Sequence, residues 1–159
     1  MRPRAAGSPL GHAMLTPLSW NIGFAIGDPE IDAQHRHLIV LINEIIVAVR
    51  HKALEKPPET LRAFRTAAVE HFRTENSLLQ ELRSIAPRGA EGRALSRRLS
   101  NALAEAKVDA HIARHEALLR ELDGFHALPP HSLCMRLKEW FVGHAIEHDS
   151  RLRAVFQAM

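Results

Sequence analysis

Four apolar stripes of helical period, each interrupted by histidine or a carboxylate, constrain this chain more than any other feature of its sequence. The first runs Ile31, His35, Leu38, Ile42, Ile45 and Val49, in alternating steps of three and four. Asp28 is a good N-cap and Pro29 suits a first helical position, so a helix is predicted from there to near Lys52, ahead of Pro57-Pro58. The second opens around Glu59, carries Leu61, Phe64, Ala68, His71, Glu75, Leu78 and Leu82, and stops at Ala86-Pro87, with Pro87 and Gly89 forming a turn. The third extends from about Glu91 through Leu95, Leu99, Leu103, Val108, His111, His115, Leu118 and Leu122 to a closing Gly124. Its length predicts a break near Ser100-Asn101. After Pro129-Pro130 a last helix is expected from about His131 to Phe156, with Leu133, Leu137, Phe141, His144, Leu152 and Val155 inward.

No segment carries a strand pattern, and short connections between amphipathic helices predict an all-α, antiparallel up-down-up-down four-helix bundle over residues 28–159. Residues 1–27, with Pro3, Pro9 and Pro17 and no apolar period, read as an irregular N-terminal arm whose Trp20, Ile22 and Phe24 tack it to the core. A length of 159 residues is one domain, and 46% hydrophobic with 25% charged residues excludes a disordered tail, a fibre and a membrane span. Cys134, the single cysteine, makes no internal disulfide, and no apolar stretch of signal-peptide length opens the chain, so a cytoplasmic protein is expected. Lys+Arg 21 against Asp+Glu 18 leaves +3, too small an excess spread over a domain to point to nucleic acid. With no tyrosine in the chain, any mechanism that stores an oxidising equivalent on a tyrosyl radical is excluded.

The 11 histidines carry the functional signal. A single histidine on an apolar face is usually a satisfied core residue. Five of them, His35, His71, His111, His115 and His144, fall on converging stripes together with Glu75 and, beside the last stripe, Asp149. Burying that many polar groups without partners costs a few kcal/mol each, comparable in sum to the whole stability of a small domain. A shared metal site removes the cost. In HFRTE and HIARH the pairs His71/Glu75 and His111/His115 are four apart, which offsets their side chains by only about 40° on one helix face. Imidazoles with carboxylates suit iron or zinc, and two carboxylates able to bridge favour a pair of metals. The fourth helix leaves a choice open: His144 and His148 form a second HxxxH, whereas Asp149 stands roughly 140° away from His144 on an α-helix.

GDPEIDAQHRHL (Gly27 to Leu38), HFRTE (His71 to Glu75), HIARH (His111 to His115) and WFVGHAIEHD (Trp140 to Asp149) resemble the bacterial haemerythrin family over most of the chain from Trp20 onward. The resemblance implies a non-haem di-iron site with all its ligand positions filled: His111, His115 and His144 on one iron, His35 and His71 on the other. Glu75 and Asp149 would bridge the two irons (Fe2+/Fe3+) together with an oxo or hydroxo group. It also decides for Asp149 over His148, which becomes a surface or supporting residue. The iron with fewer histidines would keep the position where molecular oxygen binds. Its surroundings are expected to be apolar, built from Leu38, Phe72, Trp140 and Phe141.

Two departures from the family pattern stand out. Asn76 replaces an acidic residue common after the bridging glutamate, and residues 81–107 form an unusually long connection between the second and third helices. That connection is arginine-rich, with Arg83, Arg88, Arg93, Arg97 and Arg98; a solvated helix face is the plain expectation and an acidic protein partner or a nucleic-acid site the alternative. His12, His37, His51, His126 and His131 lie off the stripes and read as surface residues.

Three functions compete. The first is reversible oxygen binding for storage, delivery or sensing, favoured by a dry pocket without an acid to complete the loss of peroxide. The second is a di-iron enzyme acting on oxygen, peroxide or nitric oxide, whose usual bundle carries Glu-x-x-His pairs; this sequence has none. The third is a structural metal-binding bundle, but zinc closes with four ligands and the converging groups exceed that number.

Overall fold

A computed structural model describes residues 15–85 and 93–157, the side chains of 93–96 excepted, and every regular element among them is helical. Helix α1 spans Pro29–Arg50, α2 Pro57–Ile85, α3 Arg93–Glu105, α4 Val108–Asp123 and α5 Pro130–Val142. The chain beyond α5 continues as a π-helix over Gly143–His148, a 3-10 turn over Asp149–Leu152 and a short α6 over Arg153–Gln157. Helix α1 packs on α2 and α5, and α2 also packs on α4, so four helical limbs enclose one interior.

Local chemistry sets the ends. Asp28 caps α1 through its Oδ1, which accepts the Glu30 and Ile31 N–H groups at 3.0 and 2.9 Å, and Pro29 supplies the preset φ of the first turn. Helix α2 starts at Pro57, slightly before the predicted Glu59, and like α1 has a proline at its first position. The expected turn at Pro87 and Gly89, along with residues 1–14 of the arm, Arg88 and the start at Glu91, lies outside the described residues.

The expected break at Ser100-Asn101 falls elsewhere: both residues lie inside α3, and the chain bends at Ala106-Lys107. Lys107 takes the left-handed conformation at φ 51° and ψ 53°, a cost of about 1–2 kcal/mol for a residue with a Cβ. The bend lays α3 against α6 and the Asp149–Leu152 turn, where Leu99, Ala102, Leu103 and Ala106 are buried. Burying those side chains offsets the strained residue. The last helix likewise differs from the single expected one, since the π-helix divides it.

The end of the arm lies along the bundle. Leu18 N–H donates to Asn43 Oδ1 at 2.7 Å, Asn43 Nδ2 donates back to Leu18 O at 2.8 Å, and the Arg36 guanidinium sits 4.1 Å from the Trp20 ring centroid. Phe24 is buried and Trp20 packs on the core, as expected, but Ile22 is 80% exposed and tacks nothing down. It belongs to a one-turn 3-10 helix, Ile22–Phe24, whose backbone is held by Arg153: the guanidinium donates to the Ala25 carbonyl at 2.8 and 3.1 Å and to Gly23 O at 3.3 Å.

The interior has two apolar clusters. The larger holds Leu38 to Ile46, Leu61 to Phe72, Leu118 to Phe125 and Leu133 to Ala145. The smaller holds Ile26, Ile31, Leu79, Leu82, the buried residues of α3, Val108, Leu152 and Val155. The switch from one cluster to the other falls at 31 to 38, 72 to 79, 108 to 118 and 145 to 152, intervals that hold His35, Glu75, His111 with His115, and Asp149, while His71 and His144 stand one residue before the second and fourth. A polar layer thus lies between two apolar clusters. No helix among the described residues is long and apolar enough to cross a membrane.

Candidate metal centre

Among the described residues the buried polar or charged side chains are His35, His71, Glu75, His111, His115, His144 and Asp149, the same seven residues that the sequence nominates. All are at most 5% exposed. Helix α1 contributes His35, α2 His71 and Glu75, α4 His111 and His115, and the π-helix with the turn after it His144 and Asp149.

The π-helix turns Asp149, and not His148, into the interior. Its wider turn bonds each N–H five residues back, and the Asp149 N–H accordingly bonds the His144 carbonyl. A five-residue step then returns to the same face, and Asp149 points inward with no exposure. His148 is rotated out: it is half-buried, with its ring 6.5 Å from those of His111 and His144, and belongs to neither ligand group.

The two carboxylates each meet histidines from both expected iron sets. Asp149 Oδ2 lies 2.9 Å from His144 Nε2, 3.0 Å from His35 Nε2 and 3.8 Å from His71 Nε2, while Asp149 Oδ1 lies 3.6 Å from His111 Nε2. Glu75 Oε1 lies 2.5 Å from His111 Nε2, and its Oε2 lies 3.4 Å from His71 Nε2 and 3.8 Å from His115 Nε2. Two groups of potential ligand atoms within 4.8 Å of one another emerge, His35/His71/His144/Asp149 and Glu75/His115/His144/Asp149. His144 and Asp149 are common to both, and His111 joins through its contacts with Glu75 and Asp149.

These groups fit a cation. Glu75 Oε2, His115 Nε2, His144 Nδ1 and Asp149 Oδ1 are buried without a hydrogen-bond partner. Each such atom costs about 1–3 kcal/mol, and a cation between Glu75, His115 and Asp149 would satisfy most of them. The buried His/Glu/Asp cluster can therefore hold a metal ion.

Electrostatics prepare the ligands unequally. Burial pushes the His115 pKa down to about 2, helped by the neighbouring His144 and His111, so this imidazole is a neutral donor at every physiological pH. Burial likewise lowers His71 against the pull of Asp149 and Glu75. For His35, burial opposes the charged form, but the hydrogen bond and charge of Asp149, with the Phe24 carbonyl, outweigh it and raise the pKa. His111 is raised in the same way against its burial, by the hydrogen bond and charge of Glu75. Asp149 is held well below the ordinary carboxylate range: the charge of His144 and hydrogen bonds from His144 and His35 overcome its burial.

Outer nitrogens are fixed by groups that the stripe pattern does not reveal. His35 Nδ1–H donates to the Phe24 carbonyl at 2.7 Å, and His115 Nδ1–H to Asn76 Oδ1 at 2.8 Å. His71 Nδ1–H donates to Gln34 Oε1 at 3.2 Å; Gln34 Nε2 donates to Thr74 Oγ1 at 3.1 Å, whose hydroxyl donates to Glu70 O at 3.1 Å. That chain fixes which way the Gln34 amide faces. Each of the three rings consequently offers Nε2 to the interior.

Leu38, Phe72, Trp140 and Phe141 are all buried, but Phe72 and Trp140 lie against His115 and His144 of the expected three-histidine set and not only beside His35 and His71. Phe72 stacks on His115 with centroids 4.0 Å apart and planes 6° off parallel, and stands 4.9 Å from the His144 ring. Phe141 is edge-on to His35 at 5.8 Å, Trp140 lies 6.0 Å from His144, and Leu38 is fully buried in the same cluster. The Trp140 Nε1–H is engaged by Leu118 O at 3.0 Å, so it faces the site as hydrocarbon.

Of the arginine-rich segment, Arg97 and Arg98 are exposed, and exposed Arg83 pairs with Asp109 at 2.6 Å, in keeping with a solvated face. His37, His51, His126 and His131 are exposed, and His12 lies outside the described residues. The chain matches no family model, no curated protein and no solved structure.

Proposed function

We propose that this chain is an antiparallel up-down-up-down bundle of haemerythrin type that binds oxygen reversibly at a non-haem pair of irons. The observation that carries this reading is the identity between the buried polar set and seven ligands, sealed on one side by Phe72, Trp140 and Phe141. His111, His115 and His144 would hold one iron and His35 and His71 the other, with Glu75 and Asp149 shared. Such a pair supplies two electrons and a coordination position for oxygen. The protein's part is to keep that position dry and free of acids. Among the described residues no buried acid stands apart from Glu75 and Asp149, and both face histidines on several sides. A side chain able to deliver a proton and speed irreversible oxidation is therefore missing from the buried wall.

Oxygen uptake separates the carrier from a di-iron enzyme. The reduced, iron-loaded protein is expected to take up one oxygen per two irons and return it under vacuum. Repeated consumption of oxygen, peroxide or nitric oxide with an electron donor, without recoverable oxygen, would overturn the carrier reading.

A further inference from the structure

Three of the five clustered histidines, His35, His71 and His115, have an outer partner among the described residues, and each of these partners is neutral. His71 leans on the Gln34 amide, His115 on the Asn76 amide and His35 on a backbone carbonyl. Carboxylates commonly fill this role, raising the basicity of the ring and adding a negative charge one residue removed from the metal. Among the described residues the buried negative charge is confined to Glu75 and Asp149. From outside the cluster, Arg151 opposes the charged form of His111. A neutral outer partner adds no negative charge that would favour a more highly charged metal pair.

We propose that Gln34 and Asn76 are positioning residues that orient His71 and His115 through neutral amide oxygens and thereby hold a bound redox-active metal pair toward its lower oxidation state. The inference rests on the metal-site reading above and adds the device that sets its redox poise. The geometry makes the two functions of each amide separable. Orientation of the ring needs an acceptor oxygen at the present position, which a carboxylate of the same shape still supplies. Poise depends on the charge, which the same replacement changes by one unit. In the Gln34 chain the Thr74 hydroxyl, already donating to Glu70 O, is left as an acceptor; it fits the amide nitrogen and offers a carboxylate no donor. The wild-type chain is thus built around the amide rather than indifferent to it.

The test compares the iron-loaded wild type with Gln34→Glu and Asn76→Asp by potentiometric titration at pH 8, alongside iron content. Each variant is expected to keep its iron and to favour the oxidised form at least tenfold more, a shift of about 59 mV to lower potential for a one-electron couple. Gln34→Leu, which removes the acceptor, is expected to weaken iron binding by about 10–100-fold with no such negative shift. Asn76→Asp lies on another helix pair from Gln34, so the failure of one variant to fold leaves the other to decide. Variants that hold two irons at the wild-type potential overturn the role given to the amides. A wild type that takes up no iron overturns the metal-site reading itself.

Discussion

His144 and Asp149 stand five residues apart and yet converge, Nε2 to Oδ2 at 2.9 Å, because the π-helix between them bonds the Asp149 N–H to the His144 carbonyl. Asp149→Asn is therefore expected to lose metal by more than the roughly 10–100-fold typical of an outer partner. In the metal-free protein Asp149→Ala should cost about 3–5 kcal/mol, since it strands His35 and His144. His148→Ala should leave metal content unchanged. Metal analysis and denaturant unfolding of the three variants check this; a His148 variant without metal would reverse the assignment.

That relationship also marks where sequence reading stops. The ligand pairs in HFRTE and HIARH were legible because a four-residue step holds on any α-helix, and His71, Glu75, His111 and His115 do share one interior. Asp149 was not legible from periodicity, since nothing local in GHAIEH distinguishes a π turn from an α turn. The bend at Lys107 escaped for a similar reason: Ala106-Lys107 carries neither glycine nor proline, and tertiary packing of α3 imposes the left-handed residue. Gln34, 37 residues from the histidine it orients, left no signal at all.

The connection between the second and third limbs does more than lengthen a hairpin. Leu99 and Leu103 of α3 close the smaller core directly beside the polar layer. Leu103→Ala should destabilise the protein by about 2–5 kcal/mol and hasten the transfer of metal to a chelator. Chelator kinetics unchanged by the substitution would show that α3 is remote from the site.

Acidity should act in opposite directions with and without metal. His35 and His111 have raised pKa values, so in the metal-free protein their contribution to stability is complete below about pH 6.5 and is lost as pH climbs through the folded values. His71 and His115, shifted downward, act below pH 6.5 in the opposite sense and leave this window alone. Metal binding must expel the protons of His35 and His111, so the metal-loaded protein should gain stability as pH rises from about 6.5 to 8. Melting temperatures across that range, with and without metal, should show slopes of opposite sign. Parallel slopes would mean that the two histidines are not ligands.

Phe72 lies flat on His115 and keeps polar groups away from the cluster. Phe72→His should place a protonatable ring on that wall and accelerate conversion of the oxygen-exposed protein to its ferric form by about tenfold or more. Stopped-flow absorbance measures this, and an unchanged rate would show that wall polarity does not govern oxidation.

Counting metal per chain by elemental analysis, on protein grown with iron and zinc both supplied, tests the convergence of His35, His71, Glu75, His111, His115, His144 and Asp149 most directly. Two irons per chain are predicted, falling together with stability in His71→Ala and in His111→Ala. One zinc per chain, or full iron retained in both variants, would contradict it.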